Sequence, residues 1–354
     1  MPSSAISYMW RDKDVPRGFR TGVSLHSHTN QSRETLDFLA NFGNQFPVMR
    51  PLLSRLERRA EQMHGIRIDY AASYWTPPMT PKLAFDLETR QIPVSVEWSA
   101  PYGGSQAFHL GVHNLPSARA TEWMATLQDF TRHPSDARLT EILAALHHER
   151  NVLVVFNHPM WDLYLIGKEK HQFLVNEFLQ KNGAHIHALE LNGLRNWDEN
   201  REVRRLAEKW NMVLISGGDR HGVEPNANVN LTNATSFTEF VHEVRRERKS
   251  NLLFLPQYAE PWKHRILQST VDAVRYYPDF PQGSRSWDDR VFHPDAAGVV
   301  RPLSELWPKG SAPRALSAGI ALVQLMGQGL VSGGLRLAWS DSNQLRLALG
   351  EHEF

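Results

Sequence analysis

The stretch Ser24-Leu25-His26-Ser27-His28-Thr29 closes an apolar run, Thr21-Gly22-Val23-Ser24-Leu25. In an extended strand side chains alternate, so His26 and His28 point to one face with their Cβ atoms roughly 6–7 Å apart. Two imidazoles at that separation can chelate one metal ion. A Zn, Mn or Fe ion needs further ligands, so the question becomes whether other strands also end in His, Asp or Glu. Val94-Ser95-Val96-Glu97 ends in a carboxylate, Ala107-Phe108-His109 brings an imidazole, and the run from Val152 to Asn157-His158 ends in another. Val213-Leu214-Ile215-Ser216-Gly217-Gly218-Asp219-Arg220-His221 ends in an aspartate and a histidine. All lie at or near the C-terminal end of an apolar run, where barrels and open α/β sheets place their chemistry.

Working outward, helices are predicted over 35–42, 48–64 and 81–90, and a strand over Ile66 to Tyr74. Further strands are expected at 92–98, 106–114, 151–158, 185–192 and 212–219, with helices at 118–132, 136–150, 167–181, 198–210 and 236–249. Ser135 or Asp136 is a suitable cap for the helix that starts there. This regular alternation predicts one parallel α/β barrel rather than an open sheet. It is expected to end near Ser250, giving a barrel domain over 1–250 and an extension over 251–354. The extension is broken by eight prolines between Pro256 and Pro313 before an apolar helical stretch begins.

At 354 residues the chain suits a barrel with an appendage. The formal charge of +1 gives no basic stripe of the kind that holds nucleic acid, so no stable nucleic-acid complex is expected. With no cysteine, disulfides, thiolate-bound zinc and cysteine nucleophiles are excluded. The first ten residues lack the charged start and apolar core of a signal peptide, so a cytoplasmic location is expected. Ala315 to Trp339 is apolar over nearly a bilayer's thickness. It also contains Gln324, Gln328, Arg336 and several Gly and Ser residues, and is read as a buried helical hairpin with no membrane partner.

The order strand–His-x-His, strand–Glu, strand–His, strand–Asn-His-Pro and strand–Gly-Asp-x-His resembles the PHP family, named for polymerase and histidinol phosphatase domains. The resemblance covers roughly Gly18 to Lys249. It implies a distorted (β/α)7 barrel with a metal centre at its C-terminal mouth, in a family whose members mostly hydrolyse phosphoesters. Carried over residue by residue, His26, His28, Glu97 and Asp219 would hold one metal, and Glu97, His109 and His158 a second, with Glu97 bridging. His221 falls at a third-metal ligand or substrate contact. Two departures affect that third site: Ser32-Arg33 stands where the family usually shows Ser-Asp, and Thr76-Pro77-Pro78 where it shows Thr-Asp-His. The resemblance therefore implies two divalent ions (Mn, Fe or Zn) and no third site, with the Arg33 guanidinium suited to meet a substrate phosphate in its place.

Two such ions can share a hydroxide and lower the pKa of bound water toward about 7. The expected reaction is attack of that hydroxide on a small phosphomonoester or phosphodiester. Arg33, Arg195 and Arg220 are candidate charge stabilisers, and His221 a candidate proton donor to the leaving oxygen. Glu190, Asn192 and His113 are candidate supporting groups. His185 and His187 form a second His-x-His at the opposite end of their strand and are set aside, as are His64, His147 and His148 at helix ends.

Two rival readings stand beside a phosphoesterase. A nuclease taking single-stranded ends would use aromatic platforms from among Trp10, Trp75, Trp98, Tyr102, Trp161 and Tyr164. A barrel without turnover would act as an interaction module through residues 251–354, which also offer a lid or a homo-oligomer contact.

Overall fold

The structure, a computed structural model, describes residues 2–8, 16, 18–19, 21–26, 93–104, 106–221, 227–276, 286–295, 297, 299–307 and 310–339. The strand and helices expected between 35 and 90 lie outside these residues, as do His28, Arg33, His64 and the Thr76-Pro77-Pro78 turn. The chain divides into two compact units. The first holds the N-terminal strands, residues 93–219 and residues 227–259, and the second holds Arg220, His221 and the residues from Glu260 onward.

The strands of the first unit form two sheets. One has the order β1–β9–β8–β2, built from β1 (Ser3–Tyr8), β2 (Thr21–Val23), β8 (Asn228–Thr232) and β9 (Lys249–Phe254). The other runs in sequence order through β3 (Val94–Tyr102), β4 (Gln106–Leu115), β5 (Leu153–Phe156), β6 (Ala188–Asn192) and β7 (Val213–Gly217). Neither sheet closes, and the distorted (β/α)7 barrel is not what this chain forms. The fold is α/β with mixed sheets: β5, β6 and β7 are parallel, while β3–β4, β4–β5, β2–β8 and β8–β9 are antiparallel.

The departure from a barrel has local causes. Between β3 and β4 the chain reads Tyr102-Gly103-Gly104, and both glycines have positive φ, +59° and +66°. Tight loops with positive φ match the twist of a hairpin, so β4 folds straight back on β3 and no crossover helix is made. At the far end, β7 meets side chains rather than a backbone ladder. The Leu214 N–H donates to Ser4 Oγ (3.0 Å), and Ser250 Oγ donates to the Leu214 carbonyl. Asn230 then takes the Ser216 N–H on Oδ1 (2.8 Å) and donates back to the Ser216 carbonyl (3.0 Å). The expected boundary near Ser250 falls inside β9.

The helices match the sequence reading closely. Ala120–Arg132 buries Ala120, Trp123, Met124, Leu127 and Phe130 along one stripe. Asp136–His148 is capped by Ser135, which accepts from the Arg138 N–H. Lys168–Asn182 and Trp197–Trp210 also lie within two residues of expectation. The exception is 236–249, where a short helix, Phe237–His242, gives way to a π-turn over Glu243–Glu247. The turn aims Arg245 at the carbonyls of His147, Glu149 and Val152, all within 2.6 Å.

In the second unit, helix Trp262–Ala273 meets Arg314–Met326 along Leu316, Ile320 and Val323, a buried stripe at i, i+4 and i+7. Gly327 permits the close approach, since a Cβ there would lie 2.6 Å from Val271 Cγ2. The second half of the expected buried hairpin is exposed instead. Helix Gly329–Ala338 has no buried residue, and Leu330 and Leu337 are 96 % and 87 % exposed. Its one charged residue, Arg336, pairs with Glu260. Among the described residues no single helix is long and apolar enough to cross a membrane, and the two segments Leu316–Met326 and Gly329–Ala338 meet at a bend of 77°. Leu330→Ser and Leu337→Ser should each change unfolding free energy by less than about 0.5 kcal/mol. Ile320→Ala should cost about 2–4 kcal/mol, as read from urea denaturation of the full chain.

The second His-x-His sits where the sequence placed it, away from the strand ends that carry the other histidines. The Val154 N–H donates to His187 Nδ1 (2.8 Å), so His187 carries its proton on Nε2 and donates it to His147 Nδ1 (3.0 Å). Both ring nitrogens are thereby committed, which removes His187 as a metal ligand. Burial, with Arg245 nearby, pushes the His187 imidazole down to about 2. The unfolded chain takes up this proton below about 6.5 and the folded chain does not, so the associated stability is present above pH 6.5 and is lost as pH falls below it. His187→Gln should remove up to about 1.4 kcal/mol per pH unit from the slope of stability between pH 6.5 and 5, measured by denaturation across that range.

Candidate metal centre

Three separate segments of the first unit converge on the carboxylate of Glu97, and a fourth brings Asp219 beside them. Beyond β2 the chain lies beside the end of β7, where the Gly218 N–H donates to the Leu25 carbonyl (3.0 Å) and the Asp219 N–H to that of His26 (2.6 Å). This crossing sets His26 Nε2 3.4 Å from Asp219 Oδ1 and 3.0 Å from Glu97 Oε1. From β4, His109 Nδ1 lies 3.0 Å from the same Glu97 oxygen. The turn after β5 supplies His158 Nε2 at 3.2 Å and Asn157 Nδ2 at 3.3 Å. His26, His109, His158 and Asp219 are all at most 9 % exposed.

The backbone bends to make this cluster. His26, His158 and Asp219 have φ of +54°, +26° and +54°, a region that costs an L-residue roughly 1–2 kcal/mol and is occupied elsewhere mainly by glycine. Strain of this kind collects at functional sites.

His26 Nδ1 donates to Glu190 Oε2 at 2.8 Å, and Glu190 is 1 % exposed. With that proton on Nδ1, a neutral His26 turns the Nε2 lone pair toward the lone pairs of Glu97 and Asp219. Three acceptors meeting at 3.0–3.4 Å require a cation among them, either a proton or a metal ion. Burial pulls the His26 imidazole down, but Glu190, Glu97 and Asp219 together hold it well above the usual histidine value. Burial likewise opposes the Glu97 charge, and His26 and His109 reverse that, leaving its carboxyl well below the ordinary range. His158 goes the other way, because burial lowers it despite the Glu97 hydrogen bond. It is thus held neutral, the form that ligates metal.

The donor set fits an ion. One ligand atom from each of His26, Glu97 and His158 lies within 4.8 Å of the others, so these three could hold a metal ion. Ligands about 2.1 Å from a tetrahedral Zn-like centre sit about 3.4 Å from one another, so the contacts of 3.0–3.2 Å around Glu97 Oε1 need open only slightly to admit an ion. Such an ion would use the His26 and His158 Nε2 atoms and a Glu97 oxygen, with Asp219 and His109 adjacent.

Of the expected arginines, Arg195 reaches this cluster through Asp219. It is 1 % exposed, its Nη2 is 3.9 Å from Asp219 Oδ2, and its Nε is 3.8 Å from Glu199 Oε1. Its guanidinium lies 3.8 Å from the centroid of the Trp161 ring. Trp161 meets His109 and His158 edge-on, so it is engaged as a wall of the site. Burial raises Glu199 to about 7. Arg220, 4 % exposed, and His221 belong to the second unit, where the His221 N–H meets Ser269 Oγ at 3.4 Å.

Glu190 and Glu199 contribute more than the sequence signalled. Glu190 was marked by its place near a strand end, while Glu199, in the first turn of a helix, reads as a dipole-stabilising acid and carries no other signal. His113 shares the inner face of β4 with His109. Gly111 between them leaves that space open, since a Cβ there would lie 2.6 Å from His113 Nε2 and 2.8 Å from Asn157 Oδ1.

No family model matches the chain, and no curated protein matches it. Among solved structures, PsfC from Pseudomonas syringae PB-5123 aligns with 72 % of this chain and 98 % of its own at 14 % identity, with a TM-score of 0.37. A likeness at that level carries no argument about function.

Gly217 closes β7 directly under Glu190, and a Cβ there would lie 2.0 Å from Glu190 Oε2. Gly217→Ala should therefore displace the carboxylate that orients His26 and cost about 1–3 kcal/mol, seen as a lower denaturation midpoint with an unchanged slope.

Proposed function

We propose that this chain is a metal-dependent hydrolase acting on a phosphate ester. The observation that carries the reading is the meeting of three imidazole nitrogens within 3.2 Å of one oxygen of the half-buried Glu97 carboxylate, with Asp219 beside them. The order of these residues along the chain, which resembles that of the PHP family, supports phosphoesters as the substrate class. On the same grounds we propose two divalent ions, with His109 contributing to the second.

Bound here, a divalent ion supplies an activated water near neutral pH and a Lewis acid for a phosphoryl oxygen. The chain's own residues do the rest. Glu190 keeps the His26 proton on Nδ1 and so frees Nε2 for ligation. Arg195, fixed between Trp161, Asp219 and Glu199, provides a permanent positive charge beside the site for an anionic substrate. Trp161 excludes water from one side. A nuclease is the weaker reading, because two of its expected stacking platforms, Trp98 and Tyr102, are buried at 0 % and 3 % exposure.

Protein purified without chelator or His-tag should carry divalent metal by mass spectrometry and lose it in Glu97→Ala. It should hydrolyse p-nitrophenyl phosphate or its bis-ester, with at least a hundredfold loss in Asp219→Ala. Failure to bind metal after reloading with Mn or Zn, together with no turnover of either ester, would overturn the proposal.

A further inference from the structure

We infer that Asn192 is the positioning residue that couples the metal-holding side of the cluster to its arginine, an inference that rests on the metal-centre reading above. Asn192 ends β6 and is fully buried. Its amide nitrogen donates to Glu190 Oε1 at 2.6 Å, while the other oxygen of that carboxylate takes the His26 Nδ1 proton at 2.8 Å. Its amide oxygen accepts from the Leu194 N–H at 2.8 Å and the Arg195 N–H at 3.2 Å, which shapes the turn that presents Arg195.

One side chain therefore grips the carboxylate that sets the His26 tautomer and the backbone that aims the guanidinium. Only an amide serves both ends. Its nitrogen must face the carboxylate and its oxygen the two N–H groups, since the flipped orientation would oppose donor to donor and acceptor to acceptor. Aspartate keeps the acceptor end and loses the donor, and alanine loses both.

The backbone of Asn192 is held separately. Its N–H donates to Asn200 Oδ1 (2.8 Å), and its carbonyl accepts from Asn200 Nδ2 (2.9 Å). Asn200 Nδ2 also meets Tyr258 Oη (2.8 Å), and that hydroxyl donates to the Arg195 carbonyl (3.1 Å). Asn200 thus supports the same turn without touching the Glu190 carboxylate, which makes it the control for a merely structural role.

The test is calorimetric titration of Mn(II) into the full chain after chelator treatment, with the thermal midpoint of each metal-free variant recorded. Asn192→Asp and Asn192→Ala should weaken Mn(II) binding about tenfold or more, the range seen when partners of ligating histidines are lost. Asn200→Ala should lower the thermal midpoint yet leave Mn(II) affinity within about threefold. In a Glu190→Gln background, Asn192→Asp should have little further effect on affinity, because both changes break one relay. If Asn192→Ala does not fold, the isosteric Asn192→Asp still decides. Folded Asn192 variants that bind Mn(II) like the unaltered chain, or losses that add fully with Glu190→Gln, would overturn the coupling alone. An unaltered chain that takes up no Mn(II) would overturn the metal-centre reading and the coupling with it.

Discussion

The constraint on which the first unit depends is charge balance around one oxygen. Glu97 Oε1 lies within 3.3 Å of nitrogens from His26, His109, His158 and Asn157, and the buried Asp219 adds a second carboxylate. Withdrawing ionised carboxylates from water costs up to several kcal/mol unless positive charge or donors surround them. Rings from three segments and an amide supply them. The opposite displacements of His26 and His158 share that origin. His26 touches two further carboxylates and retains a proton, while His158 meets fewer and stays neutral. A divalent ion in place of the His26 proton would neutralise the same oxygens with more charge.

That arrangement is held against local backbone preference. His26 and Asp219 both adopt φ of +54°, yet they are locked to each other by the Asp219 N–H to His26 carbonyl bond. Each strained residue makes the hydrogen bond that keeps the other in place. The Leu25 side chain beneath them joins Leu153, Val155, Ala188, Val213 and Ile215 in the core. Burial of the Leu, Val and Ile side chains among them, each worth about 1.5–3 kcal/mol, is large enough to hold the two turns open.

Much of the cluster was legible because the residues sought were histidines and acids, and α/β sheets gather such groups at strand ends. That rule located Glu97, His109, His158 and Asp219, and one histidine of the His-x-His motif, as a set. The barrel was not legible, since helix–strand alternation does not show strand direction. The Gly103-Gly104 pair did carry that information, as a hairpin signal, and it outweighs the alternation. Three strands of the first unit escaped for a different reason. In β8 the buried positions include Asn228, Asn230 and Thr232, so a strand read by apolar alternation is turned inside out. In β1 small polar residues dilute the pattern, and β9 continues from a segment that reads as helix. The distinction between Arg195 and Arg220 was likewise hidden, because sequence places both after strands and only the fold assigns them to different units.

The buried asparagines of β8 explain how an open sheet still positions a centre. A closed barrel fixes the register of its last strand through a backbone ladder. Here Asn230 bridges the Ser216 N–H and carbonyl on β7, and the same amide nitrogen reaches the Val23 carbonyl at 3.2 Å. One side chain thus ties the edge of one sheet to the strand of the other that leads into His26. A backbone pair would satisfy the β7 groups but could not reach the third partner at the same position. The gap between the sheets is therefore bridged where the His26 and Asp219 turns cross, and the polar residues that obscure β8 in the sequence set the spacing of those two side chains.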